Sequence, residues 1–140
     1  MTREQQIDLA ALTLRIALGG MFIAHGLLKV LVFTLPGTAS FFTSVGFAGW
    51  LAYPVTLLEI GGGILLLLGL GSRQTALLLI PVLIGALSVH AGNGWLYTNA
   101  NGGWEYAAFL TLACVVQSLL GDGAYTVRRF AGMPRNLARA

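Results

Sequence analysis

Among the ionisable side chains inside apolar stretches of the sequence, three could do chemistry together. His25 and Lys29 belong to the first stretch, and Glu59 belongs to the second. A histidine and a carboxylate close together can exchange protons with a bound ligand or hydrogen-bond its oxygens. Ionisable groups at membrane depth are costly and mark functional sites by default. The sequence therefore predicts that His25, Lys29 and Glu59 handle protons or bind a ligand.

Three further candidates flank the connection between the third and fourth apolar stretches. His90 closes one stretch, and Trp104 and Glu105 open the next. The intervening residues, AGNGWLYTNANGGW, include four glycines and three asparagines, which suit tight turns and backbone-rich polar surfaces. Two interpretations stay open for this connection: a structural turn, or a folded cap over a site.

Helical geometry brings several of these groups together. At 100° per residue, Arg15 and Lys29 lie on one line of the first helix, and His25 lies about 80° from Arg15 and about 40° from Lys29. If that helix runs outward, His25 lies about 10 Å and Glu59 about 12 Å below the outward-facing boundary of the membrane. We therefore expect Glu59 within ion-pair distance of His25 or Lys29, in a polar site in the outer half.

Several structural interpretations compete with a functional site. Lys29 or His25 could neutralise Glu59 simply to lock two helices together, with nearby glycines allowing close backbone approach. Arg15, about 10 Å from the inner face, is expected to snorkel or to pair with Asp122. The lone cysteine, Cys114, is expected to pack in the core. A metal site could use the side chains of His25, Glu59, His90 and Glu105, which are suitable ligand types. Their spacing matches no known ligand motif, so the prediction is for no metal. Haem bound by two histidines is a further alternative.

The elements that position these residues are apolar helices. Only 9% of the residues are charged and 56% are hydrophobic, whereas soluble domains carry about 25% charged residues. Lipid requires each span to satisfy its own backbone hydrogen bonds, which predicts α-helices. The prediction is an all-α, integral membrane four-helix bundle in a single domain, residues 1–140. The predicted spans are residues 9–32, 51–70, 74–89 and 106–120.

Basic residues in the connections predict the orientation. All Lys and Arg residues outside the spans fall on one side, and the connections on the other side, 33–50 and 90–104, contain no Lys or Arg. These basic residues are Arg3, Arg73, Arg128, Arg129, Arg135 and Arg139. Both termini are therefore predicted to be cytoplasmic, with residues 121–140 as a basic tail. Such a tail beside an anionic leaflet is a membrane-surface signal and no evidence for nucleic acid.

Two features modify the simple bundle. The uncharged amphipathic stretch from Thr38 to Val45 predicts a short interfacial helix between the first and second spans, lying over the bundle. Pro81 removes a backbone hydrogen bond to Leu77 and is expected to kink the third helix, leaving local space.

The sequence resembles the DoxX family of small bacterial and archaeal membrane proteins. The resemblance is carried most specifically by HGLLK at 25–29, LLEIGGG at 57–63 and GDGAY at 121–125. It singles out His25, Lys29, Glu59 and the turn at 121–123. The family is more distantly similar to the four-helix bundle of vitamin K epoxide reductases, but this chain lacks the CxxC pair of their thiol chemistry.

The resemblance also implies a function and a location. Some DoxX relatives are similar to the small membrane subunit of a thiosulfate:quinone oxidoreductase, and others are associated with redox and sulfur-stress proteins. The implied role is a component of a quinone-linked oxidoreductase in a bacterial or archaeal cell membrane, with quinone as the expected ligand and a redox protein as partner. The alternatives are a non-enzymatic anchor or assembly partner and a small solute permeation protein. For each of these roles a homo-oligomer stays open.

Overall fold

The computed structural model describes residues 1–130, and within that range the chain is helical without a β-strand. The all-α class is therefore confirmed for the described residues. The helices are α1 (Arg3–Leu31), α2 (Leu35–Ser44), α3 (Ala52–Leu68), α4 (Ser72–His90), α5 (Glu105–Leu120) and α6 (Val127–Phe130). The last part of the predicted basic tail, with Arg135 and Arg139, lies outside the described residues.

Within residues 1–130, three helical segments are long and apolar enough to cross a membrane: Arg3–Leu31, Gly49–Leu68 and Ser72–Asn93. The segments around α3 and α4 include short 3-10 turns at Gly49–Leu51 and Ala91–Asn93. The apolar helix α5 is shorter, at 16 residues. The fourth crossing therefore stays a prediction.

Helix α1 begins six residues before the predicted span because its first turn is capped. The Thr2 hydroxyl accepts a hydrogen bond from the Gln5 backbone N–H, and the Gln5 side chain accepts one from the Thr2 N–H. This capping box satisfies donors that would otherwise lack partners at the helix start. Hydropathy alone could not predict these polar first turns.

Helices α1 and α3 pack closely because glycines face each other across the contact. A Cβ atom added at Gly19 or at Gly63 would lie 2.8 Å from the carbonyl oxygen of the other glycine. Gly26 similarly abuts Ile60. The expected close approach is therefore confirmed at these positions, whereas Gly20 and Gly61 would have no described atom within 4 Å of an added Cβ.

The helices pack in a ring, in which α1 and α4 each contact both α3 and α5. We call the end with the start of α1, the α3–α4 turn and residues 121–126 the terminal end, and the end with α2 and residues 91–104 the cap end. Buried Leu18, Leu66, Leu79 and Cys114 fill the bundle toward the terminal end, each at most 1% exposed. Packing is therefore the observed role of Cys114.

The terminal end contains a buried arginine that neither snorkels nor pairs with an acid. Arg15 is 0% exposed and donates hydrogen bonds to the backbone carbonyls of Leu66, at 3.4 Å, and Tyr125. Asp122 instead accepts a hydrogen bond of 2.6 Å from the backbone N–H of Ser72, at the start of α4. Arg15 and Asp122 form no direct ion pair within residues 1–130, because Asp122 caps a helix whose first N–H groups need acceptors.

Helix α2 confirms the predicted short helix, although it begins at Leu35 rather than at Thr38. The Thr34 hydroxyl caps its start by accepting from the Gly37 N–H. Helix α2 lies against α1 and α3, and its buried Thr38 donates to the Thr34 carbonyl at 2.9 Å and more weakly to the Lys29 carbonyl at 3.4 Å. Its place at a membrane interface stays a prediction.

Candidate functional site

A cavity of about 670 Å³ lies toward the cap end of the bundle. Helices α1 to α5 and the 91–104 connection all contribute to its walls. Most of the lining is apolar or aromatic, including Phe22, Phe42, Val55 and Leu110. Four of the predicted site residues also line it: His25, Lys29, Glu59 and His90. The structure therefore brings part of the predicted site together around an apolar chamber.

Lys29 and Glu59 form a direct ion pair on one wall of the cavity. Lys29 Nζ lies 2.7 Å from Glu59 Oε2 and 2.9 Å from Oε1. The two side chains are 17% and 7% exposed, respectively. The predicted contact between Glu59 and a basic residue of α1 is confirmed, with Lys29 as the partner. The pair ties α3 to α1 and also presents charge to the cavity.

His25 lies beside this pair but is bonded elsewhere. Its Nδ1 is 2.8 Å from the carbonyl oxygen of Met21, one turn earlier in α1. Its ring lies 6.3 Å from the ring of Tyr106, centroid to centroid, and the Tyr106 hydroxyl contacts Met21 Sδ at 3.2 Å. No hydrogen bond joins His25 to Glu59 in the described structure, so a direct His25–Glu59 proton pair is not formed.

His90 ties the end of α4 to the glycine-rich connection. His90 Nδ1 lies 3.1 Å from the carbonyl oxygens of both Asn101 and Gly102. Asn93 donates from its side-chain amide to the same two carbonyls, at 3.1 and 2.9 Å. Because Gly102 and its neighbour Gly103 also line the cavity, the connection is a folded cap over the chamber rather than a simple turn.

Trp104 and Glu105 support this cap and do not line the cavity. Glu105 Oε1 accepts a hydrogen bond of 2.9 Å from the backbone N–H of Tyr97. The Trp104 ring meets the Trp95 ring edge to face, with centroids 4.6 Å apart. The prediction that Trp104 and Glu105 contact a ligand is therefore not supported by their placement. Residues 1–130 contain no cluster of three or more His, Cys, Asp or Glu side chains able to hold a metal.

Aromatic residues around α2 form a part of the site that sequence reasoning missed. Phe41 and Phe42 from α2, and Phe47 after it, line the cavity. Phe47 also approaches α4, since a Cβ added at Gly85 would lie 3.9 Å from its ring. The adjacent residues Phe41 and Phe42 in the amphipathic stretch were the sequence signal that could have indicated this aromatic wall. Pro81 also lines the cavity, where local space was expected.

Comparison with known proteins places this architecture in a family. The model of the family described as DoxX matches residues 10–91, more than half of the chain. The chain belongs to the DoxX family. The match includes His25, Lys29, Glu59 and His90 and ends before Trp104. With its long apolar helices, the chain is a DoxX-family membrane protein.

One curated relative of this DoxX protein carries an activity in its name. The chain is 35% identical over 84 residues to "Putative oxidoreductase CatD" of Bacillus subtilis (strain 168). The alignment covers 60% of this chain and 61% of the relative, so the chain spans less than two thirds of that protein's length. No solved structure matches the chain.

Proposed function

We propose that this DoxX protein is the membrane component of a quinone-linked oxidoreductase system and that its cavity binds the quinone ring. The observation that carries the proposal is the cavity itself, an apolar chamber lined by phenylalanines on one side and by His25, Lys29 and Glu59 on another. The name of the Bacillus subtilis relative supports an oxidoreductase role.

The cavity suits an apolar ring that carries a few polar atoms. Its volume of about 670 Å³ falls within the range of about 300 to 1,000 Å³ that is usual for small-molecule sites. Aromatic walls stack against a flat ring, while the ionisable groups can hydrogen-bond ring oxygens and exchange protons. A lipid-soluble quinone combines these features.

Electrons would reach the ring from a partner protein. The chain contains a single cysteine, and Cys114 is buried in the core, so no dithiol relay is available within the chain. The protein's contribution is therefore to bind and orient the ring and to supply proton-exchanging groups, whereas the redox chemistry belongs to the quinone and to the partner.

A structural anchor is the second candidate, favoured by the Lys29–Glu59 ion pair. A pair of this kind can hold two helices in register without any ligand. Permeation is less well supported, because buried Leu18, Leu66 and Leu79 fill the bundle between the cavity and the terminal end. A binding chamber that is blocked on the side of the terminal end accounts better for this packing.

The proposed membrane topology has four crossings, with the terminal end cytoplasmic and the cap end outside. In a Gram-negative cell the membrane would be the inner one. We expect reporter fusions after Arg139 and within the 93–101 segment to report opposite compartments, because every Lys and Arg outside the four predicted spans belongs to the same predicted side. Two reports from the same compartment would contradict the topology.

The binding proposal is tested by filling the cavity. Ala86 lines it from α4, whereas Ile84 on the same helix does not and is 52% exposed on the outside of the bundle. We expect Ala86→Phe to lose most of the quinone that co-purifies with the protein, and Ile84→Phe to retain it. Quinone is extracted from protein purified in mild detergent and quantified by chromatography against protein.

Equal quinone in the two variants and the wild type would show that it is not held in the cavity. A wild-type protein that carries no quinone, and takes up none when supplied with a short-chain ubiquinone, would leave the structural anchor as the better account. Thermal unfolding of both variants in the same detergent controls for loss of the fold.

A further inference from the structure

Both histidines of the cavity contact backbone carbonyl oxygens through the same ring nitrogen, Nδ1. His25 Nδ1 lies 2.8 Å from the Met21 carbonyl oxygen, and His90 Nδ1 lies 3.1 Å from two carbonyl oxygens of the cap. A carbonyl oxygen can only accept, so Nδ1 must carry the proton in each ring. In the neutral imidazole the other nitrogen, Nε2, then has a free lone pair and acts as an acceptor.

Neither Nε2 atom has a hydrogen-bond partner among residues 1–130, although both rings line the cavity. Glu59 adds a carboxylate, which also accepts. Against these acceptors stands one strong donor group, the Lys29 ammonium, which already directs two hydrogen bonds at Glu59. The Tyr106 hydroxyl is directed at Met21 Sδ. Tyr97 also lines the cavity, and its hydroxyl can donate or accept. Of the ionisable groups that can do only one of the two, three accept, namely the two Nε2 atoms and the Glu59 carboxylate, and one donates, the Lys29 ammonium.

We infer that the cavity selects the reduced, hydroxyl-bearing form of its ring ligand, the quinol, over the oxidised quinone. A quinone ring has two carbonyl oxygens that only accept, so it meets bare acceptors at His25 and His90. The quinol has two hydroxyl groups that can donate to those acceptors. Acceptors that a bound quinone shields from water without offering a donor lose the hydrogen bonds they would make to water, which penalises the oxidised form.

This inference rests on the proposed function. It adds the redox state of the preferred ligand and the residues that distinguish the quinol from the quinone. His25 and His90 act as specificity determinants through Nε2. The backbone carbonyls of Met21, Asn101 and Gly102 act as positioning groups that fix the tautomer, as second partners of histidine ligands commonly do. A site that binds the quinol more tightly would also make the bound quinone a stronger electron acceptor than it is in free lipid.

The preference is measured as two dissociation constants. Full-length protein in lipid nanodiscs is titrated under anaerobic conditions at pH 8 with a short-chain ubiquinone and, separately, with its quinol, by calorimetry. We expect the quinol to bind about tenfold more tightly, the effect of about one net hydrogen bond. In His25→Gln, whose amide can also donate, the ratio should fall to about threefold or less, and in His25→Gln/His90→Gln to about one.

Each outcome separates the two proposals. Equal affinities in the wild type, or tighter binding of the quinone, would overturn the redox selectivity while leaving quinone binding intact. A preference that persists unchanged in the double variant would also overturn it, because the histidines would not be its source. Binding of neither form would refute the proposed function and the selectivity with it. Ile84→Phe, altered outside the cavity, should keep the wild-type ratio.

Discussion

Lys29→Met is expected to lower the free energy of unfolding by about 3 to 5 kcal/mol, because it leaves the Glu59 carboxylate buried without its counter-charge. Glu59 is only 7% exposed in the native protein, so water cannot easily replace the lost partner. The measurement is equilibrium unfolding by denaturant in mixed detergent and lipid micelles, followed by circular dichroism at a helical wavelength.

The matched control removes both charges. In Lys29→Met/Glu59→Met no charge is left unpaired, and replacement of a buried ion pair by apolar side chains of similar size is often neutral or stabilising. We therefore expect the double variant to recover most of the stability lost in Lys29→Met. If the losses measured for Lys29→Met and for Glu59→Met simply added in the double variant, the pair would not be coupled in the folded protein.

Gly63→Ala is expected to destabilise the protein by about 1 to 3 kcal/mol, as overpacking of a close contact does. The added Cβ would lie 2.8 Å from the Gly19 carbonyl oxygen and 2.7 Å from Ile23 Cγ1. The backbone oxygen cannot turn away as the end of a long side chain can, so α1 and α3 must separate. The same unfolding measurement reports the loss.

The control for this substitution lies two positions away on the same helix. A Cβ added at Gly61 meets no described atom within 4 Å, so Gly61→Ala should gain up to about 1 kcal/mol from the higher helix propensity of alanine. A similar loss at position 61, where the added Cβ meets no described atom, would mean that the α1–α3 contact is not the cause of the loss at position 63.

Depth and helical face predicted that Glu59 meets a basic residue of α1, but not which one. The rise per residue put His25, at about 10 Å, level with Glu59, at about 12 Å, and the helical face placed Lys29 about 40° from His25. Depth and helical face depend only on residue number within one helix, so they can be calculated from the sequence. Which basic residue pairs with Glu59 depends on side-chain length and on local competitors. His25 was equally eligible until its Nδ1 bonded to the Met21 carbonyl.

Connections were predicted less well because their contacts are set by backbone groups. Asp122 caps α4 and Arg15 donates to two carbonyls, and sequence gives no sign of which carbonyls a fold leaves without partners. Glu105 likewise accepts from a backbone N–H in the cap. Charge matching favours acid–base pairs, whereas unsatisfied backbone groups at turns and helix ends compete for the same side chains.

The cavity itself also lay beyond sequence reasoning. Its wall at α2 depends on how residues 32–34 and 46–48 turn the short helix back over the bundle, including a positive φ of 61° at Thr34, which is unusual for a residue other than glycine. The histidine tautomers follow from the same folded connections. The sequence predicted that ionisable groups would gather in one half of the bundle, but not that they would line a chamber rich in acceptors.

The most direct test of the central claim is the quinone retained per molecule of Lys29→Met/Glu59→Met, relative to the wild type, after purification in mild detergent. If the ion pair belongs to a quinone site, the double variant should unfold at nearly the wild-type denaturant concentration and yet retain at most about one tenth of the quinone, the loss expected from about one strong hydrogen bond. Full retention of quinone by this folded variant would contradict the claim and confine the pair to joining α1 and α3.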